Sequence, residues 1–378
     1  MWCVSEESRP RARDIRIQTG IFSPGKLNAI TDVSGVMVGH CTVCHGEGKL
    51  VPGKGPARTG VTAILPHSGN VFREKVPAAA LVFNGYGKSV GLHQMNETGT
   101  LETPVILSNT LNVGIVADAL VEWCIAKNDD IGITTSTVNP VVGEVNDGYL
   151  NDIQGRHVRK EHVFAAIEGA TSGPVREGSV GAGTGSTCLG WKGGIGTSSR
   201  VLPGSLGGYT VGVLVQSNFG GVLTVDGVPV GRELGRYAYR DHLEDSSPER
   251  IEDDGSVMVV VASDAPLDHR QLRRLAARAS LGLARTGFYG SNGSGDFFLA
   301  FSTALRIPHE GEAMLNADVV ANDSMSALFL AVVEATEEAV LNSMLKATTV
   351  VGRDGHVVEA IDIAELSALM REYKRFGR

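Results

Sequence analysis

The dipeptide Gly255-Ser256 has the residue types of a peptide bond that cleaves itself. It stands between a long, mostly acidic stretch at 231–254 and an apolar, β-branched run at 257–261 that predicts a buried strand. If the Ser256 hydroxyl attacks the Gly255 carbonyl, glycine leaves that attack unobstructed, and hydrolysis of the ester frees the Ser256 amine beside its own hydroxyl. An adjacent base is what a weak serine nucleophile needs. The junction therefore predicts an amino-terminal nucleophile; the alternative is a Gly-Ser turn that only opens a strand.

Two other segments carry groups that acyl transfer uses. Asn218 follows a predicted strand at 209–216, and its amide is a candidate donor to an oxyanion. Ser294 and Asp296 place a hydroxyl and a carboxylate two residues apart, on one face if the strand has already begun there. Both groups are candidates to orient Ser256. The alternatives are an asparagine that caps a turn, and a turn serine before a strand that starts at Asp296.

Two cysteines and a histidine form the CxxCH pattern of haem attachment at Cys41, Cys44 and His45. The surroundings are typical of a strand and a glycine loop rather than of a small helical haem protein. No second CxxC or HxxxH pair follows, so zinc is not indicated either. We expect neither a metal nor a cofactor.

Two glycine-rich motifs leave alternatives open. Residues 87–91 match the GxSxG nucleophile elbow around Ser89, but an elbow needs a helix immediately after it, and 96–100 soon breaks the chain. An α/β-hydrolase that uses Ser89 therefore stays an alternative. Residues 178–186 lack both GK[ST] and the GxGxxG spacing, which favours close backbone packing or a substrate wall over nucleotide binding.

Composition excludes several classes of protein. The chain has 378 residues, is 42% hydrophobic and carries a net charge of −8, without a Lys/Arg tract, so nucleic acid is not an expected partner. No apolar run reaches the roughly 18 residues of a membrane helix. The first residues show no apolar signal region, and the five cysteines form no disulfide pattern. We expect a cytoplasmic protein.

Helical and strand patterns alternate on both sides of Ser256, which predicts one α/β or α+β body to which both parts contribute strands. Asp268 and Gln271 form a capping box before one helix, and Asp323 is expected to cap a long one that runs to Met344. An Asp-Gly turn at 226–227 predicts a hairpin. Further helices are predicted at 111–126, 160–168 and 363–375, and further strands at 30–38, 61–65, 79–83 and 296–303.

Nine segments, in order along residues 15–350, resemble the L-aminopeptidase/D-amidase-esterase family, which includes the β-peptidyl aminopeptidases. The order of the segments, rather than any single one, carries the resemblance. They are GKLNAITDVSGVMVGH at 25–40, NGYG at 84–87, GEVNDGYLND at 143–152, GTG at 183–185, GWKGGIGTSSR at 190–200, QSNFG at 216–220, DGS at 254–256, GSGD at 293–296 and EEAVLN at 337–342.

The resemblance implies a fold and a processing event. The fold is a four-layer αββα sandwich, α+β in class, similar to amino-terminal nucleophile hydrolases but differently connected. After a loose tail at 1–14, a single domain at 15–378 is expected to be cut into a large chain, 1–255, and a small chain, 256–378, which stay together.

The resemblance also implies roles for individual residues. Ser256 is the nucleophile, and Ser294 with the acid Asp296 supports it, although some relatives have Glu in place of that Asp. Tyr149 and Asn218 stabilise the oxyanion or position the scissile carbonyl.

The implied activity is that of a serine aminopeptidase. Glu144 is the candidate group for the substrate ammonium, and the substrates are short peptides, amides or esters with a free amino terminus. A homo-oligomer is expected. The alternative within the same fold is an uncleaved protein that binds a ligand along its glycine loops.

Overall fold

The computed structural model describes residues 9–244, 255–311 and 314–375; of the acidic stretch before Ser256, residues 245–254 lie outside this part. The strands of the described residues are β1 Met37–His45, β2 Ala57–Leu65, β3 Glu74–Gly85, β4 Thr100–Leu101, β5 Val105–Asn109, β6 Val141–Val145, β7 Thr187–Cys188, β8 Trp191–Lys192, β9 Gly194–Val201, β10 Thr210–Asn218, β11 Ser256–Ser263, β12 Gly295–Ser302, β13 Ile307–Pro308, β14 Val350–Val351 and β15 Val357–Val358. The helices are α1 Leu92–Thr98, α2 Val113–Lys127, α3 Lys160–Glu168, α4 Val230–Glu233, α5 Arg240–Leu243, α6 His269–Arg285, α7 Met325–Leu345 and α8 Ile363–Glu372.

Most of the strands form two stacked sheets. The larger sheet has the order β13-β3-β12-β11-β10-β9, and the smaller has the order β1-β2-β5-β6. Neighbours are antiparallel except for β11 with β12 and β5 with β6, which are parallel. The strand that begins at Ser256 is therefore a central one, hydrogen-bonded on both sides.

Three apolar clusters show that the sheets lie between two helical layers. The middle cluster joins the sheets and contains Leu107 from the smaller and Met258 from the larger. The helices α6 and α7 cover the outer face of the larger sheet through side chains such as Leu275 and Val332. The helices α2 and α3 cover the smaller sheet through side chains such as Val116. The expected four-layer αββα arrangement is confirmed.

The pleat of β11 explains its unbroken apolar sequence. Met258 and Val260 belong to the cluster between the sheets, whereas Val257 and Val259 belong to the cluster under the helices. A strand that is buried on both faces needs apolar residues at every position rather than at alternate ones. Its first residue, Ser256, is also buried.

Several predicted elements are confirmed with small shifts. The helix at 160–168 matches α3, and the capping box before α6 forms: Gln271 N–H donates to Asp268 Oδ1 at 2.7 Å, and Asp268 N–H donates to Gln271 Oε1 at 3.0 Å. The long helix begins at Met325, so Asp323 lies in the preceding 3₁₀ turn and is not the cap. Asp226 and Gly227 have the positive φ of the expected turn, but the hairpin is a single bridge, Val225 to Val228.

The strand predicted at 30–38 starts late. Ile30–Asp32 is a 3₁₀ turn, and β1 begins only at Met37. The carboxylate of Asp32 accepts hydrogen bonds from the N–H groups of Leu27 and Ala29, which stabilises a turn here rather than a strand.

The expected loose tail is packed over its described part. Ala12 is fully buried in the cluster under α6 and α7. The guanidinium of Arg9 donates at 2.7 Å to the carbonyl oxygens of Leu345 and Ile361. The expectation of a tail is thus wrong for residues 9–14, because they satisfy carbonyls at the end of α7, and residues 1–8 lie outside the described part.

Within the described ranges, the structure contains no helix with the length and apolar character that a membrane crossing requires.

Candidate active site

The larger sheet brings four of the predicted residues to one end of its central strands. Ser256 is opposite Asn218 on β10 and beside Gly295 on β12, the residue between Ser294 and Asp296. Positions some 40 residues apart in the chain thus become direct neighbours in the sheet.

The Gly255 carbonyl oxygen accepts two hydrogen bonds. The Ser256 hydroxyl donates to it at 2.6 Å, and the backbone N–H of Gly295 donates at 3.1 Å. Donors on a carbonyl oxygen stabilise the negative charge that develops when its carbon is attacked. A Cβ on Gly255 would lie 2.6 Å from Phe219 Cα, so the backbone at the junction leaves no room for a side chain.

Ser294 and Asp296 form a fully buried pair. The Ser294 hydroxyl donates to Asp296 Oδ1 at 2.6 Å. Burial raises the pKa of Asp296 to about 6, while the Ser294 hydroxyl and the Val257 N–H act in the opposite direction. The carboxylate is therefore ionised at neutral pH. Within the described residues, its Oδ2 is buried without a hydrogen-bond partner, and the recorded hydrogen bond of the Ser256 hydroxyl goes to the Gly255 carbonyl.

The Asn218 side chain is held at both ends of its amide. Its Oδ1 accepts from the Thr187 N–H at 2.9 Å, and its Nδ2 donates to the Asn146 carbonyl at 3.1 Å. A primary amide has two N–H groups, so this arrangement leaves one for a substrate oxygen. Asn218 is thus more than a turn cap.

Tyr149 lies in the loop that holds Asn218. Its ring stacks on His356, with 4.4 Å between centroids and 14° between planes, and its carbonyl hydrogen-bonds His356 Nδ1 at 2.8 Å. The stack fixes the direction of the phenol, which a donor to an oxyanion requires.

Glu144 on β6 borders the same corner. It is buried, and its Oε1 accepts from the Lys88 N–H at 2.7 Å while its Oε2 accepts from the Thr110 hydroxyl. A Cβ on Gly87 would lie 3.0 Å from Glu144 Oε1, and a Cβ on Gly295 would lie 2.9 Å from Gly87 Cα. One loop therefore connects Glu144 to the strand beside Ser256.

Reasoning from the sequence missed the backbone and supporting groups of this site. The Gly295 N–H carries no side-chain signal, and the groups that hold Asn218 and Tyr149 come from distant segments. Glycine between Ser294 and Asp296 was the one available hint, because two backbones pack closely there. The missed residues are Gly295, Thr187, Asn146 and His356.

The alternative nucleophile, Ser89, has a different environment. A short helix, α1, does follow it at Leu92–Thr98, and this helix ends within the expected break, where Gly99 takes a left-handed conformation. The recorded hydrogen bond of Ser89 Oγ within the described residues is to Met258 Sδ at 3.7 Å. A thioether is not a base, so nothing here activates this serine.

The other motifs are structural. Threonine hydroxyls at 42 and 62 accept the N–H groups of Gly181 and Ala182, so those donors are occupied and the glycine loop packs closely, as expected. Cys41 and Cys44 lie on β1 and form no disulfide within the described residues. Their odd spacing directs them to opposite faces of the strand. In the described ranges, no cluster of His, Cys, Asp or Glu could hold a metal ion.

The architecture and this corner define an amino-terminal nucleophile type of hydrolase, and comparison with known proteins gives the family. The model of peptidase family S58 matches residues 28–358, and the chain belongs to that family.

Relatives in the family are aminopeptidases. A "Beta-peptidyl aminopeptidase BapA" from Sphingosinicella microcystinivorans is 44% identical over 376 residues, which cover 97% of this chain and 93% of that protein. A solved structure from Pyrococcus horikoshii OT3 has a TM-score of 0.91 and 51% identity, covering 97% of this chain and all of the other. The L-aminopeptidase D-Ala-esterase/amidase from Ochrobactrum anthropi, described as a variant of the Ntn hydrolase fold, has a TM-score of 0.87 and 40% identity, covering 98% and 100%. The expected class, a self-processing serine aminopeptidase, is confirmed.

Proposed function

We propose that Ser256 cuts the chain before itself and then, as an amino-terminal residue, hydrolyses short peptides, amides or esters that carry a free amino terminus. The observation that supports this most directly is the Gly255 carbonyl held between the Ser256 hydroxyl and the Gly295 N–H. The attacking hydroxyl already contacts the carbonyl oxygen of the peptide unit to be cut.

The processing step is an N-to-O acyl shift followed by hydrolysis. Ser256 Oγ bonds to the Gly255 carbonyl carbon, the carbon–nitrogen bond breaks, and the hydroxyl proton passes to the leaving Ser256 nitrogen. The Gly295 N–H stabilises the oxygen that becomes negative. Water then cleaves the ester, which leaves a carboxylate on Gly255 and restores the hydroxyl.

In the cut enzyme, the new α-amine of Ser256 is the general base. An amine with a pKa near 8 suits proton transfer near neutral pH. Asp296, whose buried carboxylate accepts from the Ser294 hydroxyl, orients this amine together with Ser294. The substrate acylates Ser256, and water resolves the acyl-enzyme.

Three further residues are assigned to the substrate. The second N–H of Asn218 and the phenol of Tyr149 stabilise the substrate oxyanion. Glu144 attracts the substrate ammonium; because both its oxygens already accept protein hydrogen bonds, it acts through charge and its remaining lone pairs.

Substrate preference and assembly are the finer parts of the proposal. The relatives are named for β-peptidyl substrates in one case and for L-aminopeptidase and D-Ala-esterase/amidase activity in another. We infer N-terminal aminoacyl compounds as substrates, a homo-oligomer and a cytoplasmic location, where buried cysteines such as Cys124 and Cys188 stay reduced. A panel of L-, D- and β-aminoacyl p-nitroanilides, with light scattering for the mass, tests these points.

Intact-mass analysis tests the nucleophile. Active protein should contain two chains that meet between Gly255 and Ser256, and Ser256→Ala should stay whole and inactive. Ser256→Cys retains cleavage, because a thiol makes the same attack. Full-length chain with full activity would overturn the assignment, and a whole, inactive wild type would favour the uncleaved ligand-binding alternative.

A further inference from the structure

A small hairpin near the carboxyl end of the chain contacts the loop that carries Tyr149. This β14–β15 hairpin pairs Val350 with Val358 and Val351 with Val357. Val351 and Val357 are half exposed, so that pair contributes little apolar burial. A two-stranded hairpin is only marginally stable by itself, so contacts with the rest of the molecule must hold this one in place.

Three consecutive carbonyl oxygens of the Tyr149 loop accept hydrogen bonds from the β14–β15 hairpin. The Nε of Arg353 donates to the Gly148 carbonyl at 2.7 Å, and the Arg353 backbone N–H donates to the Leu150 carbonyl at 2.9 Å. Between them, His356 Nδ1 donates to the Tyr149 carbonyl at 2.8 Å. Each carbonyl from 148 to 150 therefore has a donor in the hairpin.

The hairpin also holds the Tyr149 side chain, because the imidazole of His356 stacks on the phenol ring. The two backbones are in close contact as well: a Cβ on Gly352 would lie 2.3 Å from the Leu150 carbonyl oxygen. Both the backbone and the ring of Tyr149 are thus held by one element.

The hairpin and the Tyr149 loop lie on opposite sides of the processing junction. When the chain is cut before Ser256, residues 350–358 belong to the small chain and residues 148–150 belong to the large chain. The nucleophile is in the same chain as the hairpin. These hydrogen bonds and the ring stack therefore fix Tyr149 of the large chain to the chain that carries Ser256.

We propose that Arg353 and His356 are positioning residues that direct the Tyr149 phenol toward the substrate oxyanion. The inference rests on the proposed function of Tyr149. Among the described residues, neither side chain has a recorded hydrogen bond to Ser256, so their effect on the reaction passes through Tyr149.

A fixed direction matters because an oxyanion donor acts when the negative charge develops. A preorganised donor needs no reorganisation at that moment. A phenol released from its stack has more rotamers available, and ordering it again costs conformational entropy. The transition state then loses more stabilisation than the ground state, so kcat falls while KM stays near its wild-type value.

Three variants remove these contacts in steps: Arg353→Met, His356→Phe and His356→Ala. Phe keeps a ring for the stack and removes the donor to the Tyr149 carbonyl, whereas Ala removes both. Measured per correctly cut Ser256, kcat should fall about 3-fold in the first two and about 10-fold in His356→Ala, with KM within about twofold. Wild-type kcat in all three variants would overturn the inference.

Tyr149→Phe supplies the decisive background. If the hairpin acts through the phenol hydroxyl, His356→Ala should cause little further loss of kcat once that hydroxyl is gone. Equal losses in both backgrounds would overturn the inference. Wild-type kcat in Tyr149→Phe alone would instead show that the proposed function of Tyr149 fails, so the two failures are distinguishable.

Hydrogen exchange measures the positioning without any turnover. The backbone amides of Leu150 and Asn151 lie in the Tyr149 loop and donate to the Asp147 carbonyl at 3.2 and 3.1 Å. In the uncut Ser256→Ala protein, their exchange should become faster when His356→Ala is added. Unchanged exchange would show that the hairpin does not hold this loop, and it would overturn the inference even if kcat falls.

His309→Ala is a matched control. His309 also belongs to the small chain, its ring stacks on Phe72 of the large chain with 4.4 Å between centroids, and its Nδ1 accepts from Lys75 Nζ at 2.7 Å. These partners lie outside the Tyr149 loop. The variant should lose stability but keep wild-type kcat and wild-type exchange at 150–151. A loss of kcat equal to that of His356→Ala would overturn the inference, because any weakened contact between the chains would then slow turnover.

Discussion

The ionised form of Asp296, which the proposed reaction needs, lowers the stability of the folded protein. Burial raises its pKa from 3.8 to about 6. Between these values the folded protein binds more protons than the unfolded chain, so stability falls as the pH rises from about 4 to about 6 and stays lower above. A carboxylate that costs stability when ionised is typical of a functional position.

We predict that Asp296→Asn raises the melting temperature at pH 7.5, because the amide oxygen still accepts from Ser294 without a buried charge. The gain should shrink as the pH falls through 6. Self-cleavage or turnover should drop about 100-fold or more. Calorimetry at several pH values and rate assays measure both effects.

Asp264 provides the control for that prediction. It follows the far end of β11, and burial raises its pKa too. Asp264→Asn should leave turnover unchanged. A lower melting temperature for Asp296→Asn at pH 7.5 would contradict the argument from burial.

Ser294→Ala separates orientation from folding. If the hydroxyl orients Asp296 toward Ser256, kcat per folded molecule should fall on the order of 100-fold, beyond the modest fall in melting temperature expected when the buried carboxylate loses a donor. A stable variant with normal kcat would remove Ser294 from the catalytic group.

The oxyanion assignment predicts losses in kcat. Asn218→Ala and Tyr149→Phe should each lower kcat/KM by roughly 100-fold, because a fixed donor stabilises the transition state more than the ground state. The Phe ring keeps its stack on His356, so Tyr149→Phe removes the hydroxyl group without disturbing the surrounding fold. Changes confined to KM would show uniform binding instead.

Residue types in sequence order were enough to single out Ser256, Ser294, Asp296 and Asn218 as neighbours of strand ends, and their catalytic roles stay predictions. Residue types were insufficient for contacts made across the chain. Tyr149 and His356 stack although they are 207 residues apart, and the Gly295 N–H has no side chain to reveal it.

At the scale of elements, α7 shows why periodicity has limits. Nearly the whole helix is buried, including Glu334 and Glu338, which bind the fully buried Arg200 at 3.1 and 2.9 Å. Charged residues on a helix usually indicate a solvated face. The two carboxylates find their partner only on β9, which carries Arg200. The glycine-rich sequence of that strand did not predict this contact.

We predict that Arg200→Met destabilises the fold by about 3–5 kcal/mol, because it leaves carboxylates buried without their partner. Denaturant titration measures the loss. Lys160→Met removes an exposed pair with Glu122 instead, and it should not change the midpoint measurably. Equal midpoints for both variants would show that Arg200 is dispensable.

At the scale of the whole molecule, the order of motifs predicted the four layers, while the pairing of strands did not follow from it. Strands β5 and β6 pair in parallel in the smaller sheet, and their short apolar runs gave no distinct period. Only the assembled sheets bring the loop at 146–149 over the end of β10.

The central place of β11 has a consequence for molecularity. Once the chain is cut, Ser256 is a chain terminus inside a sheet. Its strand then lies between β10, which belongs to the large chain, and β12, which belongs to the small chain. Denaturation then releases two molecules, and recovery becomes a second-order encounter between them. Regain of tryptophan fluorescence by the cut protein should slow on dilution, whereas the subunit of uncut Ser256→Ala should refold at a rate independent of concentration. After processing, recovery of the native structure therefore depends on an encounter between the two separated chains.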